Sequence, residues 1–363
     1  MADRIQSGII GAGFMGRVHA HAVRAGGGVI SRVAGSTPEG AERAAADLFA
    51  EAATASAEEL IDADDVDLVH ICTPNVSHFP LALRALRSGK HVICEKPLAT
   101  TLADARTLAT AAAEAGVVAA VPFAYRYYPT VREARRRVSA GLAGKVHLVH
   151  GSYLQDWLSS STDMNWRVDT ISGGASRAFA DIGVHWCDLV EFTTGHRITR
   201  LTAQLHTAHP VRDTPSGRAQ VRTEDLATVM FRTDQGAAGS VVISQLSLGR
   251  KNRLAFSIEG EGASLAFDQE MPEQLWIGGR ASNVIVLRGP DTLGPPANRY
   301  AVLPAGHPQG YQDCFNAFIS DVHAAIKGDT PEGLPTFADG LRAARLTSSV
   351  LASSADQSWV EVA

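Results

Sequence analysis

Three ionisable side chains lie in two short segments whose composition suits the oxidation of an alcohol. Lys96 lies within Glu95–Pro97, directly after the apolar stretch His91–Cys94. A lysine at the end of a buried strand can donate to an alcohol oxygen and stabilise the negative charge that develops as a hydride leaves. Asp181 and His185 are four residues apart, which places both on one face of a helix. Histidine exchanges protons near neutral pH and an adjacent carboxylate can orient it, so this set predicts proton and hydride chemistry.

A metal-dependent reaction is a poorer match to the sequence. The 13 histidines are scattered, and no H-E-x-x-H pattern occurs. His185 and Asp188 are nominal ligands three residues apart, but the positive charge of Lys96 would oppose a cation. We therefore predict no metal site.

A glycine-rich hexapeptide, Gly11-Ala12-Gly13-Phe14-Met15-Gly16, follows the first apolar run and matches G-x-G-x-x-G. Glycines at these positions allow a tight turn and let backbone N–H groups approach a pyrophosphate, and the N-terminus of the next helix adds a favourable partial charge. The motif alone is weak, but here it lies between a strand and a helix. We predict a dinucleotide site that includes Gly11, Gly13, Phe14, Met15 and Gly16.

The sequence leaves the choice between NAD and NADP open. An NAD site usually has Asp or Glu about 20 residues beyond the glycine loop, where it binds the ribose hydroxyls. This chain has Gly35-Ser36-Thr37-Pro38 there, and Arg43 follows inside the next predicted helix. Ser36 and Thr37 can donate to a ribose or to a 2′-phosphate, so we place both in a site for NAD or NADP.

The elements that must position these residues begin with alternating strands and helices. The predicted strands are Ile5–Ile10, Val29–Ala34, Leu68–Cys72, His91–Cys94 and Val117–Val121. The predicted helices are Gly16–Ala25, Glu39–Ala50, Ala57–Ile61, Phe79–Ser88 and Leu102–Ala115. This alternation indicates βαβ units with a parallel sheet, and therefore a Rossmann domain over residues 1–122. Lys96 would emerge at the carboxyl edge of that sheet, where doubly wound folds bind ligands.

A second domain is predicted over residues 123–363. After a basic helix at Pro129–Ala140, strand-like runs follow one another with few helices between them. These runs are Val146–Leu154, Arg200–Thr207, Ala227–Arg232, Ala238–Ser247, Arg253–Glu259 and Ser264–Phe267. They indicate an α+β domain with a largely antiparallel, open-faced sheet that binds substrate and forms oligomers. Helical patterns return at Gly310–Lys327 and Thr336–Ser354, after a Pro- and Gly-rich loop at Gly289–Pro308.

Composition excludes several other classes of protein. The chain has 363 residues, enough for two domains of roughly 150 residues, and its net charge of −5 argues against binding to nucleic acid or to an anionic membrane. Four widely separated cysteines indicate buried free thiols; they are Cys72, Cys94, Cys187 and Cys314. No leader pattern or long apolar span is present, so we expect a soluble cytoplasmic protein.

Three segments carry a resemblance to a known family. They are Cys72-Thr73-Pro74-Asn75-Val76-Ser77-His78, the run Gly89–Ala99 around Glu95-Lys96-Pro97, and Gly173-Gly174 followed by Asp181-Ile182-Gly183-Val184-His185. Together with the glycine loop they resemble the Gfo/Idh/MocA oxidoreductases, the family of glucose–fructose oxidoreductase and inositol dehydrogenase, over nearly the whole chain. The resemblance implies that Lys96, Asp181 and His185 are catalytic. We also assign cofactor contacts to Thr73, Pro74, Asn75, His78, Glu95 and Lys96.

Aromatic and polar residues of the second domain suggest a sugar pocket. Gly151–Trp157 ends in amide, carboxylate and indole groups, and Asn165–Arg167 follows. Sugars are bound by flat aromatic faces together with fixed donors and acceptors, although Arg167 can instead bind a carboxylate or phosphate. These two runs resemble the levoglucosan dehydrogenase branch of the family, which oxidises a C3 hydroxyl. The predicted substrate-binding residues are Tyr125, Gln155, Trp157, Trp166, Arg167, His307 and Gln309.

The expected function is hydride transfer between a nicotinamide and a secondary alcohol of a sugar, glycoside or cyclitol. In this interpretation His185 accepts the hydroxyl proton, Lys96 stabilises the oxygen and Asp181 orients the base. One alternative is a dinucleotide-binding sensor or regulatory protein on the same fold, against which the intact catalytic set argues. Another is a reductase of a diol or amino-sugar intermediate, which keeps the chemistry and changes the substrate.

Apolar residues on both faces of the predicted C-terminal strands point to self-association. They include Leu148, Val149, Val241, Val242 and Ile243. A sheet covered by helices on one face would leave an apolar patch in water, and pairing two such sheets across a two-fold axis would bury it. The resembled family also pairs through this sheet. We therefore expect a homodimer or homotetramer.

Overall fold

The computed structural model describes residues 4–214 and 217–362. Their contacts divide the chain into two compact units. The first unit comprises residues 1–124 and 311–344, and the second comprises residues 125–310 and those from 345 onward. The first break lies two residues beyond the boundary expected from the sequence.

The first unit is built on a parallel sheet. Its elements up to residue 124 are β1 (Gln6–Ile10), α1 (Phe14–Ala25), β2 (Val29–Ala34), α2 (Pro38–Leu48), β3 (Ala52–Thr54), α3 (Ala57–Asp62), β4 (Leu68–Ile71), α4 (His78–Arg87), β5 (His91–Cys94), α5 (Leu102–Ala115) and β6 (Ala119–Ala120). Six described strands pair in the order β3-β2-β1-β4-β5-β6, and every neighbouring pair is parallel. This is the doubly wound Rossmann order, in which ligands bind in a crevice at the carboxyl ends of β1 and β4, where the strand order reverses.

Local sequence explains where the helices of this unit begin. Thr37, Ser56 and Thr101 each accept a hydrogen bond from the backbone N–H three residues later, at the start of α2, α3 and α5. These side chains satisfy donors that a helix leaves unpaired in its first turn. Helix α1 is different, because it follows Gly13 and has no side-chain cap.

The second unit is built on a mixed sheet. The remaining elements of the chain are α6 (Pro129–Ser139), β7 (Val146–Leu154), α7 (Thr170–Gly173), α8 (Val184–Thr194), β8 (Ile198–His206), β9 (Val211–Thr214), β10 (Gly217–Gln220), β11 (Leu226–Thr233), β12 (Ala238–Ser244), β13 (Arg253–Gly260), β14 (Ser264–Asp268), β15 (Gln274–Gly278), β16 (Asn283–Leu287), α9 (Pro295–Asn298), α10 (Tyr311–Ile326), α11 (Phe337–Asp356) and β17 (Val360–Glu361). The nine described strands of the large sheet lie in the order β16-β15-β14-β13-β7-β12-β11-β8-β17. Only β7 and β12 are parallel among these neighbours. The expected fold class, a Rossmann sheet plus a largely antiparallel sheet, is confirmed.

The two faces of the large sheet differ. Trp186 of α8 is fully buried and donates through its indole N–H to the Ala255 carbonyl at 2.9 Å. Gly151 of β7 is required there, because a Cβ at this position would lie 2.8 Å from the Trp186 indole nitrogen. On the opposite face, strand alternation exposes apolar side chains; they are Leu148, Met230, Val242, Trp276 and Ile285.

Several elements differ from the sequence-based expectations. The short strands β3, β9, β10, β15, β16 and β17 were not predicted, and the strands of the large sheet do not pair in chain order, because β7 lies between β13 and β12. The predicted C-terminal helices also divide differently, since residues 311–344 group with the first unit. Helix α10 packs against α1 of that unit, where Gln312 donates to the Val18 carbonyl at 3.1 Å.

Candidate active site

The glycine loop has the geometry that a dinucleotide pyrophosphate requires. Gly11 has a φ of +94°, and a Cβ there would lie 2.8 Å from the Cys72 carbonyl at the end of β4. A Cβ on Gly16 would lie 2.1 Å from the Gly11 carbonyl oxygen. Gly13 faces open space, with no atom within 4 Å of its would-be Cβ. The loop therefore brings the uncapped N-terminus of α1 to an open surface, which suits a bound phosphate group.

The ribose end of the predicted cofactor site lies just after β2. Ser36 and Thr37 are both exposed, and Thr37 accepts a hydrogen bond from Gly40 N at 3.1 Å as the N-cap of α2. Phe14 and Met15 lie in the first turn of α1, with Phe14 exposed and Met15 half-buried. No acidic side chain follows β2 directly, so this strand end carries no carboxylate that would repel a 2′-phosphate.

His78 joins two loops at the carboxyl ends of β4 and β5. Its Nδ1 lies 2.7 Å from the Pro97 carbonyl oxygen and its Nε2 lies 2.9 Å from the Thr73 carbonyl oxygen. Burial lowers the pKa of His78, and this effect outweighs the two carbonyl oxygens, which favour the protonated ring. Both ring nitrogens thus face the protein backbone, and the predicted contact of His78 with the cofactor stays a prediction. Asn75, in the same loop, is buried.

Lys96 lies directly after β5, as the sequence indicated. It is half-buried, and its backbone N–H donates to the Glu95 carboxylate at 3.2 Å. Glu95 itself is buried, and its other carboxylate oxygen lies 3.1 Å from the His19 ring nitrogen Nε2. The Lys96–Pro97 peptide bond is cis. All of these contacts lie within the first unit.

Asp181 and His185 lie in the second unit, at the start of α8. Asp181 belongs to a π-helical turn, Phe179–Gly183, so the expected helix begins with an unusual turn of a kind that is frequent at functional sites. The Asp181 carboxylate accepts from the Gln245 amide at 2.9 Å and lies 3.3 Å from Arg167 Nε. His185 packs edge-on against the Tyr125 ring, with centroids 5.2 Å apart.

A hydrogen-bonded network contacts His185 through two tyrosine rings and includes three of the predicted substrate residues. The Tyr125 and Tyr153 hydroxyls are 2.6 Å apart, and both contact Asn252, at 3.0 and 2.7 Å. The Gln155 amide donates to Asn252 at 2.8 Å. Trp157 in turn donates to Gln155 at 2.7 Å. The structure therefore links Tyr125, Gln155 and Trp157 in one network, which contacts His185 through the Tyr125 and Tyr153 rings.

The remaining predicted substrate residues have different surroundings. The Arg167 guanidinium lies over the Trp166 ring at 4.3 Å from its centroid, and the same side chain reaches Asp181. His307 is exposed. Gln309 is buried and uses its amide within its own loop, donating to the Tyr300 carbonyl at 3.0 Å. A substrate contact by any of these residues stays a prediction.

Sequence reasoning missed Asn252 and Gln245, which connect the site residues. Gln245 directly follows β12 and Asn252 directly precedes β13, so an amide residue at the end of a strand was the available signal. Gln245 is fully buried. An amide carries both donors and an acceptor, so it can link a carboxylate or two hydroxyls in one place.

A buried ion-pair cluster, also missed, anchors the loop before Asn165. Asp225 pairs with the guanidinium groups of Arg177 and Arg212, and all three side chains are fully buried. Arg212 also donates to the carbonyl oxygens of Leu158 and Ser160, at 2.9 and 2.6 Å. Burial opposes ionisation of Asp225, but the His209 N–H and the two guanidinium groups outweigh it and lower its pKa.

A metal-binding cluster and a membrane-spanning helix are both absent from the described ranges, 4–214 and 217–362. Within them, no three His, Cys, Asp or Glu side chains come together as a metal ion would require. No helix in the same ranges has the length and apolar character needed to cross a membrane. The described cysteines are free thiols, three of them buried and Cys72 half-buried.

The fold and the glycine loop define a dinucleotide-binding protein of the Rossmann class, with a second unit that carries a candidate acid–base residue. Comparison with known proteins makes the class specific. Residues 5–123 match the family described as "Oxidoreductase family, NAD-binding Rossmann fold", and residues 131–266 match the "GFO/IDH/MocA C-terminal domain". The chain belongs to the Gfo/Idh/MocA family and is an NAD-binding oxidoreductase.

Similar proteins include dehydrogenases of a sugar derivative and of a cyclitol. The levoglucosan dehydrogenase of Pseudarthrobacter phenanthrenivorans is 32% identical over 99% of this chain and 98% of its own length. The inositol 2-dehydrogenase of Rhizobium meliloti is 27% identical over 99% of each chain. A levoglucosan dehydrogenase structure in complex with NADH and L-sorbose superposes with a TM-score of 0.94 at 30% identity, covering 99% of both chains. The expected family, enzyme class and nicotinamide cofactor are thereby confirmed.

Proposed function

We propose that this enzyme oxidises a secondary hydroxyl of a sugar, glycoside or cyclitol, and reduces the corresponding ketone in the reverse direction. The observation that carries the proposal is the network that contacts His185 through Tyr125 and Tyr153, where two tyrosine hydroxyls, two amides and an indole form one connected polar and aromatic cluster. Such a cluster matches a polyhydroxylated ring with apolar C–H faces. The similarity to levoglucosan and inositol dehydrogenases supports the same substrate class.

His185 is the proposed general base. The ring packs on Tyr125 and lies beside Tyr153, with centroids 5.2 and 6.4 Å away, which holds it in one orientation. In oxidation it accepts the hydroxyl proton, and in reduction it returns the proton. Asp181, one helical turn earlier, is held by Gln245 and Arg167, and we assign it the role of orienting His185.

Lys96 is the proposed electrophilic partner of the substrate oxygen. Its ammonium donates to the oxygen as negative charge develops there, and this interaction is stronger in the transition state than in the bound alcohol. Bound NAD supplies the acceptor for the hydride. The residues that would hold it are those of the glycine loop, Ser36, Thr37 and the segment Thr73–Asn75. The open face of Gly13 and the uncapped N-terminus of α1 suit the pyrophosphate.

Self-association through the open sheet face completes the proposal. The exposed apolar residues Leu148, Met230, Val242 and Trp276 lie on the face opposite α8, and α8 carries His185. A homodimer or homotetramer would bury this face and leave His185 on the other side of the sheet. Light scattering at micromolar concentration should give a multiple of the single-chain mass. We also propose a cytoplasmic location, consistent with the free thiols.

A substrate panel tests the function. Levoglucosan, free hexoses and inositols are offered with NAD and with NADP, and formation of reduced nicotinamide is followed by absorbance. At least one of these polyols should support turnover that His185→Asn removes. Turnover with simple alcohols but with no sugar or cyclitol would contradict the proposed substrate class.

A further inference from the structure

We propose that His19, with His70 and Ser7 behind it, is a positioning residue for Lys96. The inference rests on the proposed role of Lys96 in hydride transfer. It concerns a buried chain of polar groups in the first unit that ends at Glu95, the residue before Lys96.

The chain of polar groups from Ser7 to Glu95 is continuous and closed to solvent. Ser7 Oγ lies 3.2 Å from His70 Nε2, His70 Nδ1 lies 3.0 Å from His19 Nδ1, and His19 Nε2 lies 3.1 Å from Glu95 Oε1. Ser7, His70 and His19 have no exposed surface, and Glu95 is 6% exposed. Phe315 and the edge-on His70 ring pack against His19, both with centroids 5.3 Å away.

With Glu95 ionised and both rings neutral, one arrangement of protons satisfies every member. The carboxylate accepts from His19 Nε2–H, which leaves His19 Nδ1 as an acceptor. His70 Nδ1–H then donates to it, and His70 Nε2 accepts the Ser7 hydroxyl proton. Both rings are neutral in this arrangement, which agrees with the low pKa that burial imposes on His70.

The far end of the chain acts on Lys96 through the Glu95 carboxylate. While Oε1 is held by His19, Oε2 accepts the Lys96 backbone N–H at 3.2 Å. The backbone of the proposed catalytic lysine is therefore fixed by a side chain that is itself fixed from inside the sheet. Position matters here, because a shift of about 1 Å in a catalytic group can cost about a hundredfold in rate.

The proton arrangement can be tested on the unaltered protein. Two-bond nitrogen–proton correlation spectra of the histidine-labelled enzyme report which ring nitrogen carries the proton. We expect His19 as the Nε2–H form and His70 as the Nδ1–H form at neutral pH. The proposal would be overturned if both rings carried the proton on the same nitrogen, or if either ring were doubly protonated. This result does not depend on whether any variant folds.

Two substitutions at position 19 distinguish the contact of His19 with Glu95 from its contact with His70. His19→Gln places an amide donor near the former Nε2 and keeps the link to Glu95. His19→Asn keeps an acceptor near the former Nδ1 and loses that link. We expect His19→Asn to lower kcat by about 10- to 100-fold while the Kd for NADH, measured by its fluorescence, and the KM change by less than about threefold. His19→Gln should restore kcat to within about threefold of the unaltered enzyme.

A role in folding alone would give another result. If His19 only stabilises the fold, the loss of kcat in each variant should parallel the fall in its thermal midpoint, and His19→Gln should not restore kcat. That outcome would refute the role of His19 in positioning Lys96. Lys96→Met separates this proposal from the one on which it rests. If Lys96→Met keeps normal turnover, the proposed function of Lys96 fails; if it loses turnover while His19→Asn keeps it, only the role of His19 fails.

Discussion

Replacing Asp225 with asparagine should destabilise the second unit severely. The substitution keeps the size of the side chain and removes its charge, which leaves Arg177 and Arg212 as two buried cations that share no carboxylate. All three side chains are fully buried, so water cannot solvate the guanidinium groups in place of the lost carboxylate. Breaking a buried ion pair by removing one partner costs about 3–5 kcal/mol.

The assay is unfolding by urea and by heat. A loss of 3–5 kcal/mol corresponds to a fall of at least about 6 °C in the thermal midpoint of a domain of this size. Asp213→Asn is the matched control, because its 3.7 Å pair with Arg218 is exposed and should contribute nothing measurable. An Asp225→Asn midpoint equal to that of the control would refute the account of a buried anchor.

Two further outcomes follow from the structure. Ser36→Asp should lower kcat/KM with NADP by at least about tenfold relative to kcat/KM with NAD, because the new carboxylate would repel a 2′-phosphate. The control Ser36→Asn should not change this ratio. If steady-state assays give the same ratio for Ser36→Asp and the unaltered enzyme, the ribose lies elsewhere. Burial lowers the pKa of His70, so the unfolded chain takes up a proton below about pH 6.5 that the folded chain does not. The free energy of unfolding should therefore decrease as the pH falls from 6.5 toward 5, by up to about 1.4 kcal/mol per pH unit for this ring. Urea titrations at several pH values should show a smaller slope for His70→Asn. The control His147→Asn, at an exposed position, should leave the slope unchanged.

The sequence predicts the first unit well because its signals are local. The glycine loop and the apolar runs each act within a few residues, and the strands Val29–Ala34 and His91–Cys94 have the predicted bounds. Strand β3 escaped prediction because three residues carry no period. It exists through its pairing with β2, where Ala53 lies opposite Val33.

The second unit was harder to predict because its order depends on contacts between distant parts of the chain. Parallel pairing of β7 with β12 joins residues about 90 positions apart, such as Val149 and Gly239, and no local pattern encodes that register. The same holds for the polar groups of the site. Asp181 and His185 were visible as a motif, whereas Asn252 and Gln245 acquire their roles only when the fold brings them to Tyr125 and Asp181.

The central claim is that Lys96 promotes hydride transfer at a sugar or cyclitol carbon, and single-turnover transfer in Lys96→Met tests it most directly. The enzyme is loaded with NAD and mixed with the best polyol of the panel, and reduced nicotinamide is followed in time. The variant should still bind cofactor, and at saturating cofactor it should transfer hydride about 10²- to 10³-fold more slowly, because the developing oxyanion loses its donor. Transfer at the unaltered rate with cofactor bound would contradict the account.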